Sequence, residues 1–157
     1  MRIKILAIGK TDQAELQALI DIYLNRLKHY IRLELVVLND IKNSKNLSPS
    51  DQMIKEAELL SKHLQNTDTV FILDEKGKDY DSKGFAQKLQ KLMNVGTKQL
   101  VLIIGGPYGF SPEFKQKAKG SLSLSNMTFS HQMIRLFLVE QIYRAFTILN
   151  NQPYHHE

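Results

Sequence analysis

Short apolar runs alternate along this chain with stretches in which apolar residues recur every three or four positions. Ile3–Ile8, broken only by Lys4 and ending at Gly9, predicts a buried strand. Leu16, Leu19, Ile20, Tyr23, Leu24 and Leu27 trace the apolar stripe of an amphipathic helix. Leu33–Leu38 predicts a second strand. A polar segment, Asn39–Ser50, follows and ends at Ser48-Pro49-Ser50-Asp51, which opens a helix carrying Ile54, Ala57, Leu60 and Leu64 on one face. Thr69–Leu73 predicts a third strand and Asp74–Asp79 an exposed turn. Ser82 can cap a helix with Phe85, Leu89, Leu92 and Met93 inward and Gly96 at its exit. Leu100–Ile104 is apolar throughout, as a strand covered on both faces should be. Ser111-Pro112-Glu113 starts a short helix to about Lys119. Ser121–Ser125 predicts a fifth strand, and a helix from about His131 to Leu149 precedes the tail Asn150–Glu157.

Strands and helices in strict alternation, joined by crossover-length connections, predict one α/β domain over residues 1–157. Its sheet is mainly parallel and flanked by helices. The last helix departs from the pattern. Met133, Ile134, Leu136, Phe137, Leu138, Val139, Ile142, Tyr143, Ala145, Phe146, Ile148 and Leu149 leave it little polar face. Such a helix needs cover on more than one side, either from a second copy in a twofold homodimer or from the interior of one chain.

Composition narrows the chemistry. The 157 residues contain no Cys, which excludes disulfides, thiolate nucleophiles and cysteine-based metal sites. No apolar stretch approaches the roughly 18 residues of a membrane span. The first residues lack a signal-peptide cleavage pattern, so a cytoplasmic location is expected. The formal charge of +5 permits a polyanionic partner without requiring one. It has no block structure: the first fifty residues carry +3, the next fifty are neutral and the remainder carry +2.

Ligands of open parallel sheets bind at the carboxyl ends of the strands. Three loops qualify here: Asp74-Glu75 to Gly77, Gly105-Gly106-Pro107, and Leu124-Ser125-Asn126-Met127-Thr128-Phe129. The paired glycines serve either as a plain turn or as backbone that approaches a ligand closely. They match neither a dinucleotide fingerprint nor a P-loop. A nicotinamide dehydrogenase would need more glycines after the first strand than the one at Gly9. Glu140 and Arg144 are spaced as an i, i+4 pair, read as a surface ion pair or as ligand contacts on a helix with little solvent face. Tyr154-His155-His156 has no third ligand at helical spacing, and no metal is expected.

Taken together, several segments resemble the RlmH family. They are Phe71-Ile72-Leu73-Asp74, Leu102 to Pro107 with Gly109, Leu122 to Phe129 with His131, Arg135, Glu140-Gln141, Tyr143-Arg144-Ala145, and Pro153-Tyr154-His155. That family comprises SPOUT-class methyltransferases that methylate N3 of a pseudouridine in bacterial 23S rRNA. The resemblance runs end to end and is densest from residue 100 onward. It implies a homodimer, a C-terminal trefoil knot and S-adenosylmethionine as methyl donor. The cofactor positions it implies are Leu73, Gly105, Leu124, Ser125, Asn126, Met127, Thr128 and Phe129. By the same resemblance the partner is 23S rRNA or the assembled ribosome, with no membrane and no metal. His156 stands where the family usually has a basic residue after Tyr-His.

An imide nitrogen such as N3 becomes nucleophilic only as its proton leaves, so a base or an anion-stabilising cation belongs nearby. His155 is the expected base, Tyr154 the nucleotide contact and Arg144 the cation, with His131 orienting the cofactor loop. The tail is accordingly expected to serve chemistry more than folding. The competing reading is a non-catalytic RNA- or ribosome-binding α/β module, which would not need a cofactor loop.

Overall fold

The structure, a computed structural model, describes residues 1–155. His156, and with it the departure noted at the tail, lies outside the described residues. Five strands form one sheet: β1 (Arg2–Ile8), β2 (Leu33–Leu38), β3 (Thr69–Asp79), β4 (Gln99–Ile104) and β5 (Gly120–Ser123). Their order is β2-β1-β4-β3-β5, and every pairing is parallel. Five α-helices accompany them: α1 (Ala14–Leu27), α2 (Pro49–Ser61), α3 (Ser82–Asn94), α4 (Pro112–Lys117) and α5 (Met133–Leu149). Among the described residues, no helix is long and apolar enough to cross a membrane.

The apolar runs of β1 and β4 are explained by two cores, because alternate side chains of a strand leave opposite faces. Ile3, Ile5, Ala7, Leu100, Leu102 and Ile104 pack with α1, α3 and α5. Leu6, Ile8, Val101 and Ile103 pack with Leu60 of α2 and Phe114 of α4. Helix starts follow the expected chemistry: Ser48 and Ser111 accept hydrogen bonds from Asp51 N and Phe114 N, each with Pro at the first helical position. For α3 the cap is Asp81, which accepts from Gly84 N at 2.6 Å, and Ser82 is the first helical residue.

Several expectations need correction. The segment Asp74–Asp79 is the second half of β3 rather than a free turn. The strand bulges after Leu73 and pairs again with β5, Lys78 opposite Leu122 and Asp79 opposite Ser123. β5 covers Gly120–Ser123, so Leu124 and Ser125 already belong to the following loop. On α2 the expected apolar face is only partly inward: Ile54 is 47% exposed, whereas Gln52 and Glu56 are buried.

The last helix is covered within one chain. α5 packs against both α1 and α3, and it buries Leu138, Val139, Ile142, Ala145 and Phe146 in the core they share with the sheet. Ile142 is therefore a core residue of the single chain and cannot be a contact to a second copy. Met133 at the first turn stays exposed, and Leu136 and Phe137 are half-buried. The tail is also anchored. The Tyr154 ring lies edge-on to Tyr143 at 4.8 Å, and its hydroxyl reaches Tyr23 and Glu140, so folding engages this residue.

Candidate active site

The bulge of β3 and the carboxyl ends of β4 and β5 open onto a cavity of about 430 Å³. That size lies within the range of small-molecule and cofactor sites, roughly 300–1,000 Å³. One wall is apolar: Leu73, Ile104, Leu122, Leu124 and Ile134. A second is the glycine turn after β4, in which Gly109 N donates to Gly106 O at 3.1 Å and Gly109 holds a φ of +75°. The third is the loop after β5, where the Ser125 hydroxyl accepts from Met127 N at 2.9 Å. Asp74, Glu75, Lys76, Lys115 and His131 stand around these walls.

Seven of the eight expected cofactor positions line this space: Leu73, Gly105, Leu124, Ser125, Met127, Thr128 and Phe129. Asn126, between them in sequence, is not among the lining residues. The glycines need explanation from behind as well as from the cavity. A Cβ at Gly105 would meet the Phe110 ring at 2.9 Å, and one at Gly106 would fall on the Glu56 carboxyl. A side chain at Gly105 would collide with the Phe110 ring, which belongs to the second core and also lines the cavity. Packing behind both residues presents bare backbone to the cavity. Apolar walls beside bare backbone suit a buried adenine, and carboxylates and lysines suit an amino-acid moiety. The residues present fit S-adenosylmethionine.

At the cavity edge Lys115 and Asp74 form an ion pair. Burial by itself would raise the Asp74 carboxyl, but the Lys115 hydrogen bond, the Lys76 amide and both lysine charges hold it below its ordinary value. Arg135, on α5, is 1% exposed. It donates to Ile8 O at 2.7 Å and Thr11 Oγ1 at 2.9 Å, fixing the loop after β1 to the start of α5. Asp12 N and Gln132 Oε1, 3.0 Å apart, join the same two segments. Burial lowers the Arg135 pKa, with Asp40 and Asp12 opposing that shift.

The three expected catalytic residues come together, though away from this cavity. Glu140 Oε1 accepts from Arg144 Nε at 3.1 Å, Arg144 Nη2 at 2.6 Å and Tyr154 Oη at 3.0 Å. Arg144 Nη1 lies 3.4 Å from His155 Nδ1, and its guanidinium covers the Tyr154 ring at 4.8 Å. Because Arg can only donate, Nδ1 is the accepting nitrogen of His155 in this contact. Burial would lower the Arg144 pKa, yet its bonds to Glu140 raise it, so the cation persists. The Tyr154 phenol is pushed far up by burial, by the bonds to Tyr23 and Glu140, and by the Glu140 charge. It is a neutral donor, not a base. None of Glu140, Arg144, Tyr154 and His155 lines the cavity of the same chain.

Sequence reasoning missed Glu56 and underrated Arg135, because a charged residue on a helix ordinarily reads as a solvent-facing position. Glu140 entered it as half of an ion pair or ligand contact and as part of the family resemblance, without the link it makes from Arg144 to Tyr154.

The fold and cavity agree with comparisons to known proteins. A family profile described as "Predicted SPOUT methyltransferase" matches residues 1–155. Among similar curated proteins, the Ribosomal RNA large subunit methyltransferase H of Flavobacterium johnsoniae is 58% identical over 157 residues, covering both chains completely. Its namesake in Christiangramia forsetii is 55% identical over 99% of each chain. That of Parabacteroides distasonis is 54% identical over the full length of both. With nearly the whole chain matched and the cavity walled by the loops that carried the resemblance, the chain belongs to the SPOUT methyltransferase family.

Proposed function

We propose that this protein transfers a methyl group from S-adenosylmethionine to N3 of a pseudouridine in the 23S rRNA of the large ribosomal subunit, acting as a homodimer. The observation that carries the reading is the cavity at the bulge of β3 and the ends of β4 and β5, with its apolar walls and bare glycine backbone. Family membership and the names of the relatives agree with it. A non-catalytic RNA-binding module would have no use for such a cavity.

When bound, the cofactor supplies an electrophilic methyl group. The chain's own residues do the rest. Leu73, Leu124 and Ile134 would shield the adenine from water, and the backbone from Gly105 with the Ser125–Phe129 loop would hold it. Arg144, held by Glu140, is a fixed cation for the charge that develops as N3 loses its proton. His155 takes that proton at Nδ1, exchanging the weak contact to Arg144 for the nucleotide. Tyr154 keeps Arg144 in place from above its ring and presents an aromatic edge to the base.

The separation of this cluster from the cavity of the same chain supports the homodimer, since a second copy can bring its cluster to the cavity of the first. Exposed apolar residues beside the cavity, Met127 at 73% exposure with Phe129 and Met133, are the surface such a copy would cover. The family's C-terminal trefoil knot is part of the same proposal. It is supported by the two loops, 105–110 and 124–129, that meet at one cavity before α5 returns over the sheet.

The test is methyl transfer from labelled cofactor to ribosomes, separated subunits and free rRNA, followed by mapping of the modified base. Label at N3 of a 23S pseudouridine is expected. Saturable cofactor binding without transfer to any of these substrates would reject the reading.

A further inference from the structure

Glu56 is a buried carboxyl with no role in the chemistry above. It sits on α2, in the layer opposite α5, and is 3% exposed. Oε1 accepts from Gln52 Nε2 at 2.8 Å, and the carboxyl faces the amide of Gly106. Oε2 is buried without a hydrogen-bond partner. Both oxygens occupy the space that a side chain at position 106 would need. Gly106 therefore stands with the carboxyl behind it and the cavity in front.

A carboxyl in such a place is costly, because burial penalises its charged form and one oxygen lacks a partner. Glutamine has the same shape, accepts through its own Oε1 and carries no charge. Stability alone thus gives no reason for an acid here, while a strong acceptor for a loop amide does. We propose that Glu56 is a positioning residue for the cofactor, its carboxylate holding the Gly106 amide so that the Gly105–Gly106 backbone lies at the level from which the cofactor is bound. This rests on the cavity being the S-adenosylmethionine site.

Ionisation would then govern binding. The groups facing Glu56 are Asp40, after β2, whose charge opposes ionisation, and His131, before α5, whose protonated form favours it. Gln52 on its own helix and the Gly106 amide favour the carboxylate, but burial outweighs them and raises the pKa. As pH falls through that raised value the charged acceptor gives way to a weaker neutral one and the loop loosens.

The test uses the full chain, with S-adenosylhomocysteine as probe, between pH 5 and 8.5. The amide resonance of Gly106 without ligand should titrate in the wild type and stay flat in Glu56→Gln. By calorimetry at pH 8, Glu56→Ala should bind the probe about tenfold more weakly, the scale of one hydrogen bond to a charged group. Glu56→Gln should bind a few-fold more weakly than wild type at pH 8, as the protonated wild type does, and should not weaken further at low pH, since its neutral amide accepts but does not titrate. If Glu56→Ala fails to fold, Glu56→Asp, which withdraws the carboxyl by one methylene, carries the same expectation. A Gly106 amide indifferent to Glu56, or an unchanged pH profile in Glu56→Gln, would overturn the inference. A titrating amide in a wild type that binds no probe would support the anchoring and overturn the proposed function instead.

Discussion

Tyr154 and Glu140 lie 14 positions apart and are joined by a hydrogen bond of 3.0 Å from the phenol to Oε1, the same oxygen that holds Arg144 at 2.6 Å. With the Tyr154 proton committed to Glu140, the contact of 3.2 Å to Tyr23 is donated by Tyr23. The C-terminal tail is thereby tied to α5 through the Glu140 carboxylate and to α1 through the Tyr23 hydroxyl. Chemistry and folding share these residues, which changes what a tail variant should do.

Tyr154→Phe keeps the ring against Tyr143 and removes the hydroxyl. The loss should be about 1–2 kcal/mol, the range for a partly buried hydrogen bond to a charged group. Urea denaturation measures it, and an unchanged midpoint would mean that this hydroxyl contributes nothing to stability. Deleting Tyr154–Glu157 should cost more, because the ring packing is lost as well.

His155→Ala should lower the methyl-transfer rate by roughly 10²–10⁴-fold, the scale of a lost general base. Affinity for S-adenosylhomocysteine should change little, because His155 does not line the cavity of its own chain and is assigned to the nucleotide rather than to the cofactor. Raising the pH should restore part of the rate as the imide ionises unaided. A rate within about threefold of wild type at saturating substrate would move the proton-transfer role to another group.

Gly105→Val should weaken cofactor binding and lower thermal stability together. Its Cβ meets the Phe110 ring at 2.9 Å, and Phe110 stacks on Phe114 in the second core, so overpacking there costs about 1–3 kcal/mol. Parallel melting curves and calorimetry check the coupling. Weaker binding at full stability would place the added side chain in the cavity instead.

Two substitutions on α5 should part company. Ile142→Asp puts a charge into the core of the single chain and should unfold it, by several kcal/mol. Met133→Asp, at the exposed first turn beside the cavity, should leave the fold intact and shift sedimentation from dimer to monomer. A Met133→Asp variant that stays fully dimeric would remove this surface from the interface.

Glu56→Gln should change stability with pH in a defined sense. Burial raises the Glu56 pKa above 4.5, so the folded chain holds this proton more tightly than the unfolded chain does. Its contribution is present in full below the unfolded pKa and is lost as pH rises through the folded one. Glu56→Gln, which has no proton to lose, should therefore gain stability relative to wild type on going from pH 4 to pH 8. Equal melting temperatures for the two proteins across that range would contradict the assignment.

The order of elements was legible in the chain because the signals are local. Leu100–Ile104 reads as a strand buried on both faces from its own composition, and Ser111-Pro112 starts a helix whatever surrounds it. The cavity loops after β4 and β5 were legible for a similar reason, since strand ends are where loops gather, whereas Asp74–Gly77 is bulged strand. Burial of polar residues was not. Gln52, Glu56 and Arg135 follow no periodicity that marks them as interior, and their partners, Gly106, Ile8 O and Thr11, come from distant segments. The α5 pattern determined that its apolar sides must be covered, but only packing decided that α1, α3 and the sheet cover most of them. Periodicity is a property of one segment. The distance between the Arg144–Tyr154–His155 cluster and the cavity is a property of how segments are stacked, and the long-range contacts of the folded chain determine it.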